Sequence, residues 1–514
     1  MASLFAAILI CFLAFGALAD EPVKVVKTPD TLETLQKKIG EAINHPRYVS
    51  AFWGVKIASL DSGKVLFEQN AEKLFTPASN SKLYTMALAL DRLGADYRIK
   101  TSLYAQARPD AQGMLKGDLV VYGRGDPTIS SEYSGTNLLK ALEPLVAALT
   151  NAGVKQISGD LIGDDSYFRG PPFGSGWDWG DFEAYYGAEL SALTFDGNVV
   201  QLLVKPGATV GATAKLNFYP PTTYIAVSNR TVTSAKGTNR KINLYRPVSE
   251  NMVYVSGTIP IDDPGSSEDV TMHNPAGLFV ALFKDALARH GITVSGQVRT
   301  INWKDREVMP LDLKQWIELG SVQSHPMRDI IRSVQKPSQN LYTDMMLGHV
   351  GISLGSARET GLGLTAEEMG IRELNKFLTE AGIKKGDTLF EEGSGLSRDN
   401  LTTPNATVAL LTYMSHHKDF KVYYDALPIA GVDGTMRRRL KNTLAAGNVH
   451  AKTGTLRWAN SMSGYMTNAV GEHLVFSMML NRFRSTDPER AKTADMDAIA
   501  ELLANFTVRT GAKE

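Results

Sequence analysis

Cysteine is nearly absent from this sequence, since Cys11 is the one cysteine among 514 residues. It lies within an apolar run, residues 4–19, that ends in Ala17-Leu18-Ala19, the small-x-small pattern that a signal peptidase cleaves. We interpret residues 1–19 as a cleavable signal peptide, although no Lys or Arg precedes Lys24. The alternative, a retained membrane anchor, would need about 20 spanning residues and basic flanks. The mature chain would therefore contain no disulfide, no thiolate nucleophile and no cysteine-ligated zinc.

Net charge, metal-binding patterns and further long apolar runs are also missing. The 54 basic and 54 acidic residues cancel, so nothing favours nucleic acid as a partner. The nine histidines show neither His-x-x-x-His nor His-x-x-Glu-His spacing, which argues against a metallopeptidase. We therefore expect neither a metal nor a cofactor. No segment after residue 19 is apolar for long enough to span a membrane.

The two ends of the chain carry similar mixtures of strand and helix patterns. The start predicts an amphipathic helix over residues 31–43, a hairpin over 52–70 and a helix that begins with the cap Thr76-Pro77. The end predicts three consecutive strands, 448–456, 460–468 and 474–483, followed by an amphipathic helix.

The region between these ends has a different character. Residues from about 100 to 325 are rich in strand and turn patterns, with one clear helix after Asn274-Pro275. A length prior of about 150 residues per domain suggests three domains in all. The simplest layout is one α/β domain that is split in sequence, with mostly β material inserted into it.

A serine and a lysine three residues apart, Ser79 and Lys82, would lie on one face of the helix predicted after the cap. A lysine whose pKa is lowered by burial or by a neighbouring cation can take the serine proton and make the hydroxyl an effective nucleophile. This spacing alone is weak evidence for a catalytic pair. Two other matches, which we interpret as solvated surface, are Ser333 with Lys336 and Ser415 with Lys418.

A second element, Ser338-Gln339-Asn340, follows downstream. The hydroxyl of Ser338 can relay a proton between lysines and a leaving amine, and the amide of Asn340 can hold a substrate carbonyl. The same spacing at Ser249 and Asn251 we interpret as a turn.

The third element, Lys452-Thr453-Gly454, occurs once, on the first of the three predicted C-terminal strands. On an edge strand, Lys452 and Thr453 can bind a substrate carboxylate, and Gly454 lets the substrate backbone approach closely. The amide of Thr455 could then join that of Ser79 as an oxyanion hole.

Together the three elements match the motifs that penicillin-binding proteins and class A β-lactamases share, with glutamine in the middle of the second. The flanking segments extend the resemblance over nearly the whole mature chain; they are LFTPASNSKLYT, LVVYGRGDPTIS, GDLIGDDSYF, KPSQNLYTDMMLGHVG, EEGSGLSRDNLTTP, LPIAGVDGTMRRRL and VHAKTGTL. They resemble the low-molecular-mass, class C penicillin-binding proteins, the penicillin-binding protein 4 type of D-alanyl-D-alanine carboxypeptidase and endopeptidase.

The resemblance implies an α/β (α+β) fold, a serine β-lactamase/transpeptidase-like domain that is split in sequence and carries two mostly β inserted domains. The catalytic domain would comprise residues 20–99 and 326–514. The first insert, domain II, would comprise 100–195 and 296–325, and domain III would comprise 196–295.

The resemblance also implies an activity and its residues. Ser79 would be acylated, with Lys82 as its base, Ser338 and Asn340 in the second element, and Lys452 and Thr453 on the strand. The substrates would be peptidoglycan peptides that end in D-Ala-D-Ala or carry DD-cross-links, and β-lactams would be covalent inhibitors. The enzyme would act in the periplasm, free or loosely associated with the membrane.

The segment WDWGDFEAYY resembles the part of the insert that reaches the substrate side chain in this family. The resemblance implies that Asp181 and Tyr186 line that pocket, joined by Arg398. The alternative is that Asp181 caps a helix and Tyr186 belongs to the core. Arg457-Trp458, after the third motif, departs from the small or polar residues expected there and concerns substrate preference.

Other functions remain open from the residues alone. A β-lactamase usually needs a glutamate in a Glu-x-x-Leu-Asn loop between the first two motifs; the nearest phrase lies after Ser338, with Ile371 in the place of the glutamate. A histidine-based triad is not excluded, although no Gly-x-Ser-x-Gly elbow surrounds Ser79. A catalytically silent wall-binding protein is the third alternative, since fold alone does not establish function.

Overall fold

The computed structural model describes a chain of strands and helices that runs from residue 31 to residue 511. The predicted signal peptide, with Cys11, lies outside the described residues. The described ranges are 31–135, 137–310, 312–355, 361, 363–485, 487 and 491–511.

The chain forms helices and strands throughout its length. The α-helices are α1 (Leu32–Ile43), α2 (Ser81–Leu93), α3 (Ser131–Ser134), α4 (Glu143–Asn151), α5 (Pro275–Arg289), α6 (Trp303–Val308), α7 (Met327–Gln335), α8 (Asn340–Leu354), α9 (Ala366–Glu380), α10 (Pro404–Ser415), α11 (Phe420–Ala426) and α12 (Ala494–Ala504). The strands are β1 (Phe52–Ser59), β2 (Val65–Gln69), β3 (Lys100–Ala105), β4 (Met114–Leu115), β5 (Leu119–Tyr122), β6 (Gln156–Ile157), β7 (Leu161–Asp164), β8 (Val199–Lys205), β9 (Lys215–Tyr219), β10 (Ala226–Ser234), β11 (Lys241–Tyr245), β12 (Met252–Pro260), β13 (Ser266–Thr271), β14 (Thr293–Val294), β15 (Val298–Ile301), β16 (Ile317–Gln323), β17 (Thr388–Leu389), β18 (Leu401–Thr402), β19 (His450–Leu456), β20 (Ala459–Thr467) and β21 (His473–Asn481).

One five-stranded sheet combines strands from both ends of the chain. Its five strands lie in the order β19-β20-β21-β1-β2, and all neighbours are antiparallel. The predicted hairpin and the three predicted C-terminal strands are confirmed, with ends shifted by one or two residues. Because β1 pairs with β2 on one side and with β21 on the other, the sheet cannot form from either end alone.

Two helical layers cover this sheet. Leu35 and Ile39 of α1 pack with Ile499 of α12 against one face, as the four-residue spacing of apolar residues in α1 predicts. The Thr31 hydroxyl caps α1 by accepting the Thr34 amide at 3.1 Å. The opposite face packs against a larger core formed by α2 and α7–α11. Strands β20 and β21 are therefore buried on both faces.

The inserted region contains four sheets and its own core. Their strand orders are β15-β7-β5-β3-β16, β14-β6-β4, β10-β12-β11 and β13-β8-β9. The predicted helix is α5, but the Asn274 side chain donates to Thr300 Oγ1 at 3.0 Å and does not cap it. Helix α4, which the pattern did not predict, packs into the same core.

The inserted region is joined to the helices that cover the split sheet through shared apolar contacts. Phe168 and Ala192, both from the insert, belong to the same buried cluster as Leu83 of α2 and Met345 of α8. A second cluster runs through both predicted inserted domains, so their boundary stays a prediction.

Two features are absent from the described residues. No helix among them is both long and apolar enough to cross a membrane. Within the same ranges, no group of three or more His, Cys, Asp or Glu side chains is arranged to hold a metal ion.

Candidate active site

Ser79 lies in a short 3-10 turn, Ala78–Asn80, that leads directly into α2. The predicted helix start was wrong by several residues, because Pro77 precedes the turn and Ala78 adopts a left-handed φ of 49°. The segment before the turn is tied to the end of β21, where the Thr76 amide donates to Asn481 Oδ1 at 2.8 Å. The turn therefore presents Ser79 at the edge of the helix, next to the sheet.

Lys82 is fully buried and contacts three hydrogen-bond acceptors. Its Nζ lies 3.0 Å from Ser79 Oγ, 2.6 Å from Asn340 Oδ1 and 2.6 Å from the Ser394 carbonyl oxygen. Burial lowers the pKa of Lys82 to about 8, and the negative charges of nearby carboxylates oppose that shift. A neutral amine has two N–H bonds and one lone pair. With Asn340 and Ser394 accepting the two N–H bonds, the lone pair is left facing Ser79.

The second and third motifs meet through Lys452. Its Nζ donates to Ser338 Oγ at 2.7 Å and to the Thr453 carbonyl at 2.9 Å. Burial, and next the charge of Lys82, lower the pKa of Lys452 well below its ordinary value. Ser338 has a left-handed φ of 68°, a conformation that costs free energy and is frequent at functional sites.

The glycine of the third motif serves the packing of the chain itself. A Cβ on Gly454 would lie 2.2 Å from Ser461 Oγ, 2.5 Å from the Pro77 carbonyl and 3.0 Å from the Ser79 amide. Glycine is therefore required here for β19 to pack against the turn that carries Ser79, whereas the role predicted from sequence was contact with substrate.

Two buried carboxylates shape the loop that contacts Lys82, and neither was predicted from sequence. Glu392 is fully buried and accepts from the Ser394 amide at 3.0 Å and from Asn400 Nδ2 at 2.7 Å. It thereby fixes the carbonyl of Ser394 toward Lys82. Asp344 lies on α8 nearby, and burial raises its pKa well above its ordinary value. Only their tertiary contacts, not their spacing in sequence, reveal them.

A further residue that was not predicted, Thr435, lies beside the third motif. Its Oγ1 is 2.6 Å from Thr453 Oγ1, and its amide donates to the Lys336 carbonyl at 3.1 Å. Lys336 also pairs with Asp433, with Nζ 2.7 Å from Oδ2. The interpretation of Lys336 as solvated surface was therefore wrong, because this lysine supports the loop next to Thr453. Lys418 is exposed, as expected.

The segment predicted to reach the substrate side chain lies at the mouth of the site. The carbonyl of Tyr186 accepts from Asn340 Nδ2 at 2.9 Å, so this part of the insert touches the second motif. Burial, and next the charge of the nearby Asp181, raise the pKa of Tyr186. Tyr186 is 38% exposed and thus outside the core. Burial is the main cause that raises the pKa of Asp181.

Asp181 also fulfils the alternative role considered from sequence. Its carboxylate accepts from the Asp178 amide at 3.2 Å and caps the short turn Trp179–Asp181. Arg398 pairs with Asp178, a residue that was not predicted from sequence, with Nε 3.1 Å from Oδ2. Arg398, at this end of the cleft, is therefore already paired within the protein.

These elements enclose one cleft of about 750 Å³. The predicted residues that line it are Ser79, Asp181, Tyr186, Ser338, Asn340, Arg398, Thr453 and Thr455. The remaining three, Lys82, Lys452 and Gly454, are buried beneath its surface. The fold thus brings all eleven predicted residues to one place, although their individual roles stay predictions.

Comparison with known proteins assigns the chain to a family. The D-Ala-D-Ala carboxypeptidase 3 (S13) family matches residues 35–506. The chain belongs to this family. The resemblance to the penicillin-binding protein 4 type, and the prediction of a serine-type D-Ala-D-Ala carboxypeptidase, are thereby confirmed.

Individual relatives agree with the family. A D-alanyl-D-alanine carboxypeptidase from Actinomadura sp. (strain R39) is 32% identical over 517 residues, which cover 98% of this chain and 90% of the relative. The D-alanyl-D-alanine carboxypeptidase DacB of Haemophilus influenzae is 26% identical, over 84% of this chain and 85% of the relative.

Solved structures agree on the fold. The crystal structure of penicillin-binding protein 4 from Haemophilus influenzae has a TM-score of 0.75 at 25% identity, and the match covers 91% of this chain and 98% of that one. The predicted fold class is therefore confirmed.

Proposed function

We propose that this S13 enzyme removes the terminal residue from D-Ala-D-Ala peptides of peptidoglycan through an acyl-enzyme on Ser79. Neutral Lys82 takes the Ser79 proton as Oγ attacks the carbonyl of the penultimate D-alanine. The C–N bond then breaks, the terminal D-alanine leaves as an amine that takes up a proton, and water hydrolyses the ester. The observation that carries this proposal is the buried Lys82 Nζ, 3.0 Å from Ser79 Oγ, with its other contacts made to two acceptors.

The remaining motif residues have complementary roles in this scheme. The amides of Ser79 and Thr455 stabilise the oxyanion, and Lys452 with Thr453 binds the terminal carboxylate. Ser338 is 2.7 Å from Lys452 Nζ, so it can pass a proton to the leaving amine. The same chemistry opens DD-cross-links, which gives an endopeptidase activity, and β-lactams acylate Ser79 as inhibitors.

A fluorescent penicillin tests the nucleophile directly. Ser79→Ala should abolish covalent labelling without unfolding the protein, because only a hydroxyl is lost. Lys418→Ala is the matched control, since this exposed lysine shares the Ser-x-x-Lys spacing, whereas Lys336 is unsuitable because it supports the Thr435 loop. Full labelling of Ser79→Ala would place the nucleophile elsewhere, and an unlabelled wild-type protein would favour the silent scaffold. Rapid loss of the label would favour a β-lactamase.

We further propose that Asp181, Tyr186 and Arg398 select a substrate side chain with an amine and a carboxylate, as in diaminopimelate. Asp181 pairs with the amine and Arg398 with the carboxylate, and charge-assisted hydrogen bonds of this kind contribute roughly 1.5–3 kcal/mol each. Asp181→Ala should therefore lower kcat/KM for a diaminopimelate-ended peptide about tenfold or more and change penicillin acylation little. An equal loss in both reactions would mean that Asp181 acts mainly by capping its turn and not by binding the substrate.

The proposed location is the periplasm, reached through the signal peptide of residues 1–19. The apolar run that ends in Ala17-Leu18-Ala19 supports this proposal. Amino-terminal sequencing of the exported protein should give a chain that begins at Asp20, and recovery of the intact amino terminus would contradict it.

A further inference from the structure

A groove lies beside the catalytic cleft, at the far end of β19. We call it the Trp458 groove and define it by Phe52, Lys73, Leu74, Arg457, Trp458 and Arg482; its volume is about 530 Å³. Arg457 and Arg398 line both this groove and the catalytic cleft. The two spaces therefore adjoin each other.

The surface of the groove is both apolar and cationic. Phe52 is 51% exposed, Leu74 41% and Trp458 43%, an unusual exposure for neighbouring large apolar side chains. The guanidinium of Arg457 lies 5.3 Å from the Trp458 ring, and that of Arg482 lies 5.3 Å from the Phe52 ring. No Asp or Glu is among the described residues that line the groove. This chemistry fits a ligand that combines a carboxylate with a flat or apolar face.

Two residues at the groove are unusual for the backbone conformation that they adopt. Arg457 and Trp458 form the two-residue loop between β19 and β20, where Leu456 pairs with Ala459. Such loops favour Asn and Gly, because they often need a left-handed φ. Trp458 adopts a φ of 70° and Arg482 a φ of 57°. Bulky residues in this conformation cost stability and are frequent where function requires them.

The direction of β19 shows which part of a substrate reaches the groove. In the proposed function, the terminal carboxylate lies at Lys452 and Thr453 and the scissile carbonyl at Ser79 and Thr455. Residues along a strand are about 3.3 Å apart, so the distance from Thr453 to Thr455 is about 7 Å. The peptide on the acyl side of the scissile bond must then continue toward Arg457. The leaving D-alanine lies at the other end.

We propose that the Trp458 groove binds the acyl-side continuation of the stem peptide through a carboxylate carried by a residue further from the scissile bond. Arg482 and Arg457 pair with that carboxylate, and the Trp458 ring covers the adjacent apolar face of the ligand. This proposal rests on the proposed function, because the orientation of the substrate comes from it.

Three peptides that end in D-Ala-D-Ala test the groove. One is short, one carries an acyl-side extension with a free carboxylate, and one carries the same extension as its carboxamide. Wild-type enzyme should show a kcat/KM for the acid about three to ten times that for the amide, since a partly exposed charge pair contributes modestly. Arg482→Gln should bring this ratio near one and leave the short peptide unchanged. Raising the salt concentration should also reduce the ratio.

Two variants complete the design. Trp458→Asn removes the ring but keeps a residue that tolerates a left-handed φ, so the loop should persist. It should lower kcat/KM about threefold or more for both extended peptides and leave the short peptide and penicillin unchanged, because only the extended peptides reach the ring. Arg108→Gln, an exposed arginine of the insert, should match wild type throughout.

The outcomes separate the two proposals. The groove proposal would be overturned if wild-type enzyme showed no preference for the acid over the carboxamide peptide. It would also be overturned if Arg482→Gln kept that preference. Equal loss for the short peptide in Arg482→Gln would also overturn it, because the residue would then serve the fold. Failure of wild-type enzyme to cleave any of the three peptides would instead overturn the proposed function. In that case, fluorescence anisotropy can measure binding of the acid and carboxamide peptides to Ser79→Ala. Tighter binding of the acid would show that the groove still recognises the carboxylate.

Discussion

In the proposed function, a single proton on Lys82 decides whether Ser79 can react, because the ammonium form has no lone pair to accept the serine proton. Burial lowers the pKa of Lys82 to about 8. Below that pH the protonated, inactive form dominates, and above it the neutral base dominates. We expect the second-order rate of penicillin acylation to rise about tenfold per pH unit up to pH 7 and to level off above pH 8.

Stopped-flow acylation between pH 6 and pH 10 measures this profile, with thermal unfolding at each pH to show that the protein stays folded. Lys82→Ala should acylate far more slowly than wild type at every pH, and its rate should not rise with pH in the same way. A rate that does not change from pH 6 to pH 9 would show that Lys82 is not the base.

At the scale of elements, β19 and the turn that carries Ser79 fit together because Gly454 has no side chain. A Cβ on residue 454 would lie 2.5 Å from the Pro77 carbonyl oxygen. Because that oxygen belongs to the backbone, the turn or the strand would have to move. Gly454→Ala should therefore displace Ser79 and slow penicillin acylation at least about tenfold, since small misplacements at a reacting atom cost that much or more. Calorimetry should show a lowered Tm in addition.

Gly40→Ala is the matched control for this change. Gly40 lies inside α1 with an ordinary φ, and no neighbouring atom lies within 4 Å of the place that a Cβ would occupy. Alanine is the better helix former by about 1 kcal/mol, so this variant should be as stable as wild type or more so, with unchanged acylation. Acylation of Gly454→Ala at the wild-type rate would contradict the close fit.

At the scale of the whole molecule, Phe168 connects the insert to the catalytic helices. It is buried, its ring lies 5.5 Å from that of His349 on α8, and a Cβ on Gly348 would come within 2.9 Å of it. Phe168→Ala should lower the free energy of unfolding by about 3–5 kcal/mol, because it leaves a cavity between the two parts. Tyr245→Ala, at a half-exposed ring of the insert, should cost far less.

Calorimetry of both full-length variants measures the difference. A Phe168→Ala protein as stable as wild type would mean that the insert and the catalytic part are energetically independent.

The motifs could be predicted from sequence because each is a short local pattern with fixed chemistry. Ser79 and Lys82 are three residues apart on one turn, and their contact needs only local geometry. Glu392, Asp178 and Thr435 could not be predicted in the same way. Asp178 and Thr435 contact residues from other segments, Arg398 and Thr453. Glu392 bonds to its own loop, but that loop matters because its Ser394 carbonyl contacts the distant Lys82, which the adjacent sequence does not indicate.

The fold was predicted in outline for a related reason. Alternation and apolar spacing predicted the hairpin, the three C-terminal strands and α1, where one face is buried and the other is not. The start of α2 was misplaced, because Ala78 holds a left-handed conformation that a Thr-Pro pattern does not indicate. Helix α4 was missed within a region dominated by strand patterns.

The position of β1 between β2 and β21 has a consequence for folding during synthesis. The turn that carries Ser79 follows β2, yet β1 cannot be completed as a central strand until the last strand of the sheet has been made. Contacts between such distant segments form slowly, because a long loop must close before they contribute. We therefore expect a chain truncated before β19 to lack penicillin reactivity, so a partly synthesised enzyme would be unable to cut peptide bonds.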